Sequence, residues 1–291
     1  MIKKLLNTAK ILFILLTAST VFLQAQDSSS FFWEISGNGL EKPSYLFGTV
    51  HLIAQSDLIL PDTLESLFKS CGEIVLEVDM DDPELITKTQ KLMLMPDKNI
   101  KQLLNPDEYK TLEKFFSDSL GLQLEQFGKL KPLFLEQFII PKMINGPMAS
   151  YEIKFVQMAA KYKKELTGLE TVEEEVGSID KIPYKKQADL LLETVDEFKE
   201  DRILYSQIID AYKKMDFKNL YEMMFKMSKE FKEFEQLLLI DRNKIWVPRI
   251  ENMIKEKSCF IAVGALHLEG ENGLVALLKS EGYKLKPVKE K

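Results

Sequence analysis

The sequence predicts an α/β protein: a mostly parallel or mixed central sheet with flanking helices and a large helical insertion. Three observations lead to this class. Strand-like runs, rich in aromatic and β-branched residues, cluster toward both ends of the chain. Between them, from about residue 82 to 257, apolar residues recur mainly at helical spacing. At both ends strands alternate with helices, which favours a parallel sheet covered on both faces.

Residues 1–25 predict a signal peptide. Lys3 and Lys4 precede an apolar run, and Leu23-Gln24-Ala25 fits a cleavage site. The run is shorter than the roughly 20 residues that span a bilayer. We therefore expect cleavage near Ala25, a periplasmic or secreted protein of residues 26–291 folded as one domain, and no stable membrane anchor.

The charge balance limits the classes of partner. The chain has 39 basic and 45 acidic residues, a net charge of -6, and the predicted leader carries lysines but no acid. Nucleic acids and anionic lipids need a clustered basic footprint. The sequence thus argues against nucleic acid and favours a peptide or small-molecule substrate.

The two cysteines, Cys71 and Cys259, are too few for a scaffold built on disulfides. Each stands just ahead of an apolar strand-like run. They are expected either to bond to each other, if those strands are neighbours, or to remain as two buried free thiols.

The remaining elements follow in chain order. Gly37-Asn38-Gly39 is a turn signal between two strand-like runs, so the mature chain is expected to open with a hairpin. The expected elements are strands at Phe31–Ser36 and Ser44–His51, a helix from Pro61 to about Ser70, a strand at Glu73–Asp79, helices from Asp82 to about Tyr162, a strand at Glu165–Glu170, helices from about Pro183 to Lys257, a strand at Phe260–His267, a helix at Asn272–Glu281 and a strand at Tyr283–Val288.

Both histidines of the chain, His51 and His267, follow a glycine by three residues at the end of a predicted strand. Ligands of parallel sheets bind beyond the carboxyl ends of the strands, so we expect both imidazoles in one site. Glycine there permits a close backbone approach or a positive φ. The alternative is two partly buried histidines beside turns.

Two imidazoles and a carboxylate can hold Zn²⁺, Mn²⁺ or a similar ion and leave a position open for water. Glu77, near the end of its strand, is the carboxylate best placed to join them. Glu170, at another strand-to-helix junction, is either a further ligand or base, or an acid favoured by the helix dipole. Arg242 is expected to hold an oxyanion or a carboxylate, or to form a surface salt bridge. No Gly-x-Ser-x-Gly motif is present.

Several segments resemble the TraB/GumN family, which includes the TIKI proteases. They are Tyr45–His51, Leu60-Pro61, Val75–Asp79, Gly168–Thr171, Asp241–Asn243, Ala262–Leu268 and Gly270–Leu274. The resemblance implies an α/β fold shared more distantly with erythromycin esterase and the haem-binding ChaN proteins. It also implies that both Gly-x-x-His motifs and the strand glutamate lie in one site, and that the activity is peptide cleavage dependent on a divalent metal.

The residues and the resemblance together support three hypotheses. The first is an exported metal-dependent hydrolase of the peptidase type, with His51, His267 and Glu77 binding Mn, Co or Zn, and Glu77, Arg242 and Glu170 as catalytic groups. The second is a metal-free, esterase-like hydrolase in which one histidine is the general base and Glu77 orients it. The third is a non-catalytic protein that binds haem or a peptide.

Overall fold

The structure is a computed structural model that describes residues 30–227 and 234–289. The predicted signal peptide, residues 1–25, lies outside these ranges. Within them, no helix combines the length and apolar character needed to cross a membrane.

The strands of the described chain build one large sheet and one small ladder. The strands are β1 (Phe32–Ser36), β2 (Ser44–Thr49), β3 (Ile53–Ala54), β4 (Glu73–Val78), β5 (Met148–Ala149), β6 (Glu165–Glu170), β7 (Cys259–Gly264) and β8 (Lys284–Pro287). The large sheet has the order β6-β4-β7-β2-β1-β8, and β3 pairs with β5. β6, β4, β7 and β2 are parallel, whereas β1 is antiparallel to both β2 and β8. The predicted α/β class with a mixed sheet and the opening hairpin are confirmed.

The helices flank this sheet. In the described ranges they are α1 (Leu64–Ser70), α2 (Leu85–Leu92), α3 (Ile100–Leu103), α4 (Pro106–Phe115), α5 (Pro132–Met143), α6 (Tyr151–Tyr162), α7 (Val172–Asp180), α8 (Tyr184–Asp196), α9 (Phe198–Lys213), α10 (Phe217–Met227), α11 (Asp241–Glu256) and α12 (Leu274–Ser280). A π-helical turn, Gln236–Ile240, leads directly into α11.

Alternation along the strands sends successive side chains to opposite faces of the sheet. One face carries Phe47 and Phe260, which pack against aromatic residues of α6 and α9 such as Phe155 and Tyr212. The other face carries Ile261 and its neighbours, which pack against α11 and α12. Both faces are thus covered by helices, as the apolar runs predict.

The strand predicted at Glu165–Glu170, inside the interval 82–257, is confirmed as β6, which pairs with β4 as an edge strand of the main sheet. Helices α3, α4, α5 and α8 on either side of β6 share a separate apolar cluster that includes Phe116, Leu135 and Leu191. The two-residue strands β3 and β5, by contrast, were not predicted, because pairing with a distant strand decides whether such short strands form.

Cys71 and Cys259 are buried free thiols, so the disulfide alternative is wrong for this structure. Desolvation by burial raises the pKa of both, to about 12 for Cys259. Neither thiol is therefore ionised near neutral pH, which excludes them as thiolate nucleophiles in this state.

Candidate active site

Four parallel strands end at the same edge of the sheet, and the predicted site residues meet there. His51 lies two residues beyond the end of β2. His267 lies in a short 3₁₀ turn that directly follows β7. Glu77 is in β4, and Glu170 is the last residue of β6. The strand order brings these four side chains together although they are far apart in the sequence.

The spacing of the first motif, Gly48 to His51, reflects tight backbone packing. A Cβ on Gly48 would lie 3.1 Å from Ala265 Cα and 3.1 Å from Leu268 Cδ2. Gly48 therefore lets the turn that carries the second histidine pack against β2. Gly48 does not have a positive φ, so close approach is the reason for glycine here.

The second glycine, Gly264, lies in the middle of the site. A Cβ at this position would be 3.4 Å from Glu77 Oε1, 3.5 Å from His51 Nε2 and 3.6 Å from His267 Cδ2. Its φ is -53° and these distances are ordinary van der Waals contacts, so neither a positive φ nor crowding requires glycine here. The absent side chain leaves a small open volume on which the two histidines and the glutamate converge.

His51 is held by a carboxylate that the sequence reasoning missed. Its Nδ1 lies 3.0 Å from Glu152 Oε1, at the start of α6. Glu152 is fixed in turn by hydrogen bonds from Thr49 Oγ1 (2.6 Å) and Ser150 Oγ (2.8 Å). Because Nδ1–H donates to Glu152, the other ring nitrogen of His51 points toward Glu77. The distance from His51 Nε2 to Glu77 Oε1 is 3.9 Å.

The environment of His51 favours the imidazolium form. The side chain is 66% exposed, yet enough protein surrounds it for desolvation to lower its pKa. The hydrogen bond to Glu152 and the charges of Glu77 and Glu152 outweigh this effect and raise the pKa of His51 to about 9. In the metal-free protein His51 is therefore charged at neutral pH.

His267 has the opposite environment, because it is 3% exposed. Its Nδ1–H donates to Asn243 Oδ1 at 2.7 Å, and its ring lies 4.4 Å from the Trp246 ring. Asn243 Nδ2 donates to the backbone oxygens of His267 and Asn272, which fixes the orientation of the amide. Desolvation, together with the charges of Arg242 and His51, outweighs the charge of Glu77 and lowers the pKa of His267 to about 3.

Glu77 connects the two histidines. Its Oε1 accepts the Gly264 N–H at 2.6 Å, and its Oε2 accepts from Arg242 Nη2 at 2.6 Å. Desolvation raises the pKa of Glu77, but the charge of Arg242, with the nearby histidines and the Gly264 N–H, overcomes it and holds the pKa at about 2. Glu77 is therefore an ionised carboxylate across the neutral range.

Arg242 uses every one of its donors. Nε and Nη2 both donate to Glu170 Oε1, at 2.9 and 2.6 Å, and Nη2 also donates to Glu77. Nη1 donates to Leu238 O at 3.1 Å and to His267 Nε2 at 3.3 Å. Since a guanidinium has five N–H groups, none is left in this conformation for an oxyanion. Arg242 instead holds carboxylates, and at 11% side-chain exposure it forms no surface salt bridge.

Glu170 likewise has its oxygens occupied. Oε1 accepts from Arg242, and Oε2 accepts from Trp246 Nε1 at 3.1 Å. Desolvation raises the pKa of Glu170, although Arg242 opposes this. Glu170 thus supports Arg242 and Trp246 and does not face the open volume as a free ligand.

The donor set fits a divalent ion in its chemistry. Each imidazole has Nδ1 held by a side-chain oxygen, from Glu152 for His51 and from Asn243 for His267, as is typical of metal-binding histidines. The open volume at Gly264 lies between the imidazoles and Glu77. In the described ranges, however, no three His, Cys, Asp or Glu side chains are arranged as a metal-binding group. Arg242 Nη1 occupies the lone pair of His267 Nε2 instead.

Two further groups escaped sequence reasoning. Trp246 is fully buried and stacks with Arg242, whose guanidinium carbon is 4.6 Å from the ring centroid. Glu175, on α7, has a pKa raised to about 7 by desolvation and by the charges of Glu77 and Glu170. The i, i+4 spacing of Arg242 and Trp246 could have indicated a shared helix face, but nothing local distinguishes Glu175 from the acids beside it.

This geometry can now be set beside known proteins. A family model described as the TraB/PrgY/gumN family matches residues 31–287. The chain belongs to the TraB/PrgY/gumN family. The match includes both Gly-x-x-His motifs, Glu77, Glu170 and Arg242, and it confirms the resemblance.

Curated relatives of this TraB-family chain are metalloproteases by name. Metalloprotease TIKI1 of Danio rerio is 21% identical over 89% of this chain and 63% of its own length. Metalloprotease TIKI2 of Xenopus tropicalis is 20% identical over 89% of this chain and 60% of its own length. The chain thus spans about three fifths of these relatives. No solved structure matches it.

Proposed function

We propose that this TraB-family chain is an exported, metal-dependent hydrolase that cleaves peptide bonds. The observation that carries the proposal is the convergence of His51 Nε2, Glu77 Oε1 and His267 around Gly264. In addition, Nδ1 of each imidazole is hydrogen-bonded to a side-chain oxygen. The names of the TIKI relatives support the metal and the peptide substrate. The predicted leader, residues 1–25, supports export.

In this proposal His51, Glu77 and His267 hold the ion, which is Mn, Co or Zn. When bound, a divalent ion lowers the pKa of water and polarises a carbonyl group. Glu77 remains ionised because Arg242 lies against it, so it orients a ligand and does not supply a proton. His51 is the exposed group of the three, so it is the side chain that substrate reaches first.

The test is peptide cleavage together with metal content. The mature protein, residues 26–291, would be stripped with a chelator, reloaded with Mn²⁺, Co²⁺ or Zn²⁺, and incubated with a peptide library. We expect cleavage only after reloading, near-stoichiometric metal by mass spectrometry, and loss of both in folded His51→Ala. A matched control is Glu173→Gln, which changes an exposed carboxylate. Full cleavage in the presence of chelator would contradict metal dependence.

A second candidate function has its own supporting observation. Glu152 and His51 form a carboxylate–imidazole pair beside the open volume. Such a pair performs general base catalysis without a metal. The engaged Nε2 of His267 is consistent with it. On this alternative, cleavage of esters persists in chelator and its rate rises with pH as the imidazolium of His51 loses its proton. Visible haem absorbance on purification, without turnover, would instead favour the binding-protein hypothesis.

A further inference from the structure

Arg242 already neutralises the buried part of the site. Glu77 and Glu170 are 8% and 6% exposed, and the guanidinium bridges them. Arg242 Nη1 also donates to His267 Nε2 at 3.3 Å. One guanidinium thus contacts both buried carboxylates and the second imidazole.

The contacts of Arg242 differ in strength. Its bonds to Glu170 and Glu77 are 2.6 Å long and charge-assisted, whereas its bond to His267 Nε2, at 3.3 Å, is the longest of the five. Leu238 O and the Trp246 ring hold the guanidinium in place from other sides. The bond to His267 is thus the one that breaks at least cost.

We propose that Arg242 is the resident cation of the site and competes with a divalent ion for His267 Nε2 and Glu77. The inference rests on the proposed metal dependence and adds a role for an arginine so far described by its contacts alone. Metal loading requires Nη1 to leave His267 while Glu170 retains the rest of the guanidinium. Arg242 is accordingly a positioning residue that limits the metal affinity of the site.

The experiment is calorimetric titration of Mn²⁺ into the chelator-stripped protein, compared with Arg242→Gln and Arg242→Lys. Glutamine removes the competing charge, and lysine keeps the charge but cannot reproduce the five-donor fork. The matched control is Arg249→Gln, on the same helix, where the arginine pairs with Glu174 at the surface. If Arg242→Gln does not fold, Arg242→Lys decides.

We expect Arg242→Gln to bind Mn²⁺ at least about tenfold more tightly than the wild type, because a divalent ion and a neighbouring unit cation repel each other in proportion to the product of their charges. Arg242→Lys should bind more tightly than the wild type but less so than glutamine, and Arg249→Gln should match the wild type. Added Mn²⁺ should also raise the melting temperature of Arg242→Gln more than that of the wild type, because the ion replaces the missing charge.

Unchanged or weaker Mn²⁺ binding by the folded Arg242 variants would overturn the competition. This outcome is distinguishable from failure of the proposed function. If the wild type binds metal and cleaves peptides while the variants bind metal no more tightly, only the inference is wrong. If the wild type cleaves nothing while the variants bind metal more tightly, only the proposed activity is wrong. Absence of binding in all of them sinks both.

Discussion

The two Gly-x-x-His motifs look alike in sequence but build two different halves of the site. In the His51 half, an exposed imidazole donates to Glu152 and its pKa is raised to about 9. In the His267 half, a buried imidazole lies between Asn243, Trp246 and Arg242, and its pKa is lowered to about 3. The same motif thus yields a charged group at the mouth of the site and a neutral one at its base.

The difference shows that the motif fixes where each imidazole lies, whereas the neighbouring helices determine its partners and its pKa. Gly48 lets the turn that carries His267 pack against β2, and Gly264 lies between both imidazoles and Glu77. The partner on Nδ1 then comes from α6 for one imidazole and from α11 for the other. A carboxylate stabilises the imidazolium, whereas an amide in a desolvated cage stabilises the neutral ring.

The largest expected effect follows from Glu77, which both halves share. Glu77→Gln removes the carboxylate between the imidazoles and leaves Arg242 with one fewer anion. We expect peptide hydrolysis to fall by about 10²–10⁴-fold, the usual range for loss of a positioned catalytic group, and bound metal to be lost. Rates and metal content of the folded variant measure this. Retention of activity within a factor of a few would mean that the two halves do not act through Glu77.

In the His267 half, we expect substitution of Asn243 to destabilise the protein. This side chain is 2% exposed and makes three hydrogen bonds, to His267 Nδ1 and to two backbone oxygens. Asn243→Ala leaves buried groups unpaired, at a cost of about 1–3 kcal/mol for an unsatisfied group. Urea unfolding of Asn243→Ala, beside the exposed-site control Asn145→Ala, measures the free energy of unfolding. Equal stability of the two variants would show that Asn243 does not hold the turn.

In the His51 half, we expect substitution of Glu152 to impair metal binding or activity with little effect on folding. Glu152→Gln keeps the shape but loses the charge on Nδ1 of His51, so we expect metal affinity or activity to fall by about 10–100-fold. The melting temperature should change little because the amide oxygen of glutamine can still accept a hydrogen bond from Thr49 or Ser150. Glu152→Asp tests position at constant charge. A loss of stability that matches the loss of activity would assign Glu152 a structural role in α6.

The two halves should also respond to pH in opposite directions. His51 has a folded pKa of about 9, above the ordinary histidine value of 6.5, so its stabilising contribution is present below pH 6.5 and is lost as pH rises toward 9. His267 has a folded pKa of about 3, so the unfolded chain binds its proton first and stability falls as pH drops from 6.5 toward 3. We expect both changes in the free energy of unfolding to be small compared with the changes that the many acidic residues cause.

Nuclear magnetic resonance can check this comparison directly because the chain has only two histidines. In the metal-free protein one set of imidazole signals should titrate near pH 9, and the other should remain neutral down to the acid limit of the fold. His51→Gln assigns the signals. Two histidines that both titrate near pH 6.5 would remove the distinction between the halves.

Much of the fold could be predicted because it is encoded locally. The hairpin, the buried strand at Glu73 and the strand that precedes His267 follow from apolar periodicity and turn residues. Inside the helical interval the strand that forms β6 was also predicted, whereas β5 was missed because a two-residue strand forms only by pairing, here with β3. Glu152 escaped prediction for a similar reason: it is one of many acids on helices, and only the packing of α6 against the sheet brings it to His51.

By itself, the sequence determined the α/β class and the gathering of His51, Glu77 and His267, because strand ends and residue spacing are local properties. The tertiary structure alone decided which imidazole is charged and what Arg242 binds. Those properties depend on burial and on partners distant in the chain: Glu152 is 101 residues from His51, and Glu77 is 165 residues from Arg242. A pKa reflects the field and solvent access at one point in space, and no spacing along the chain contains that information.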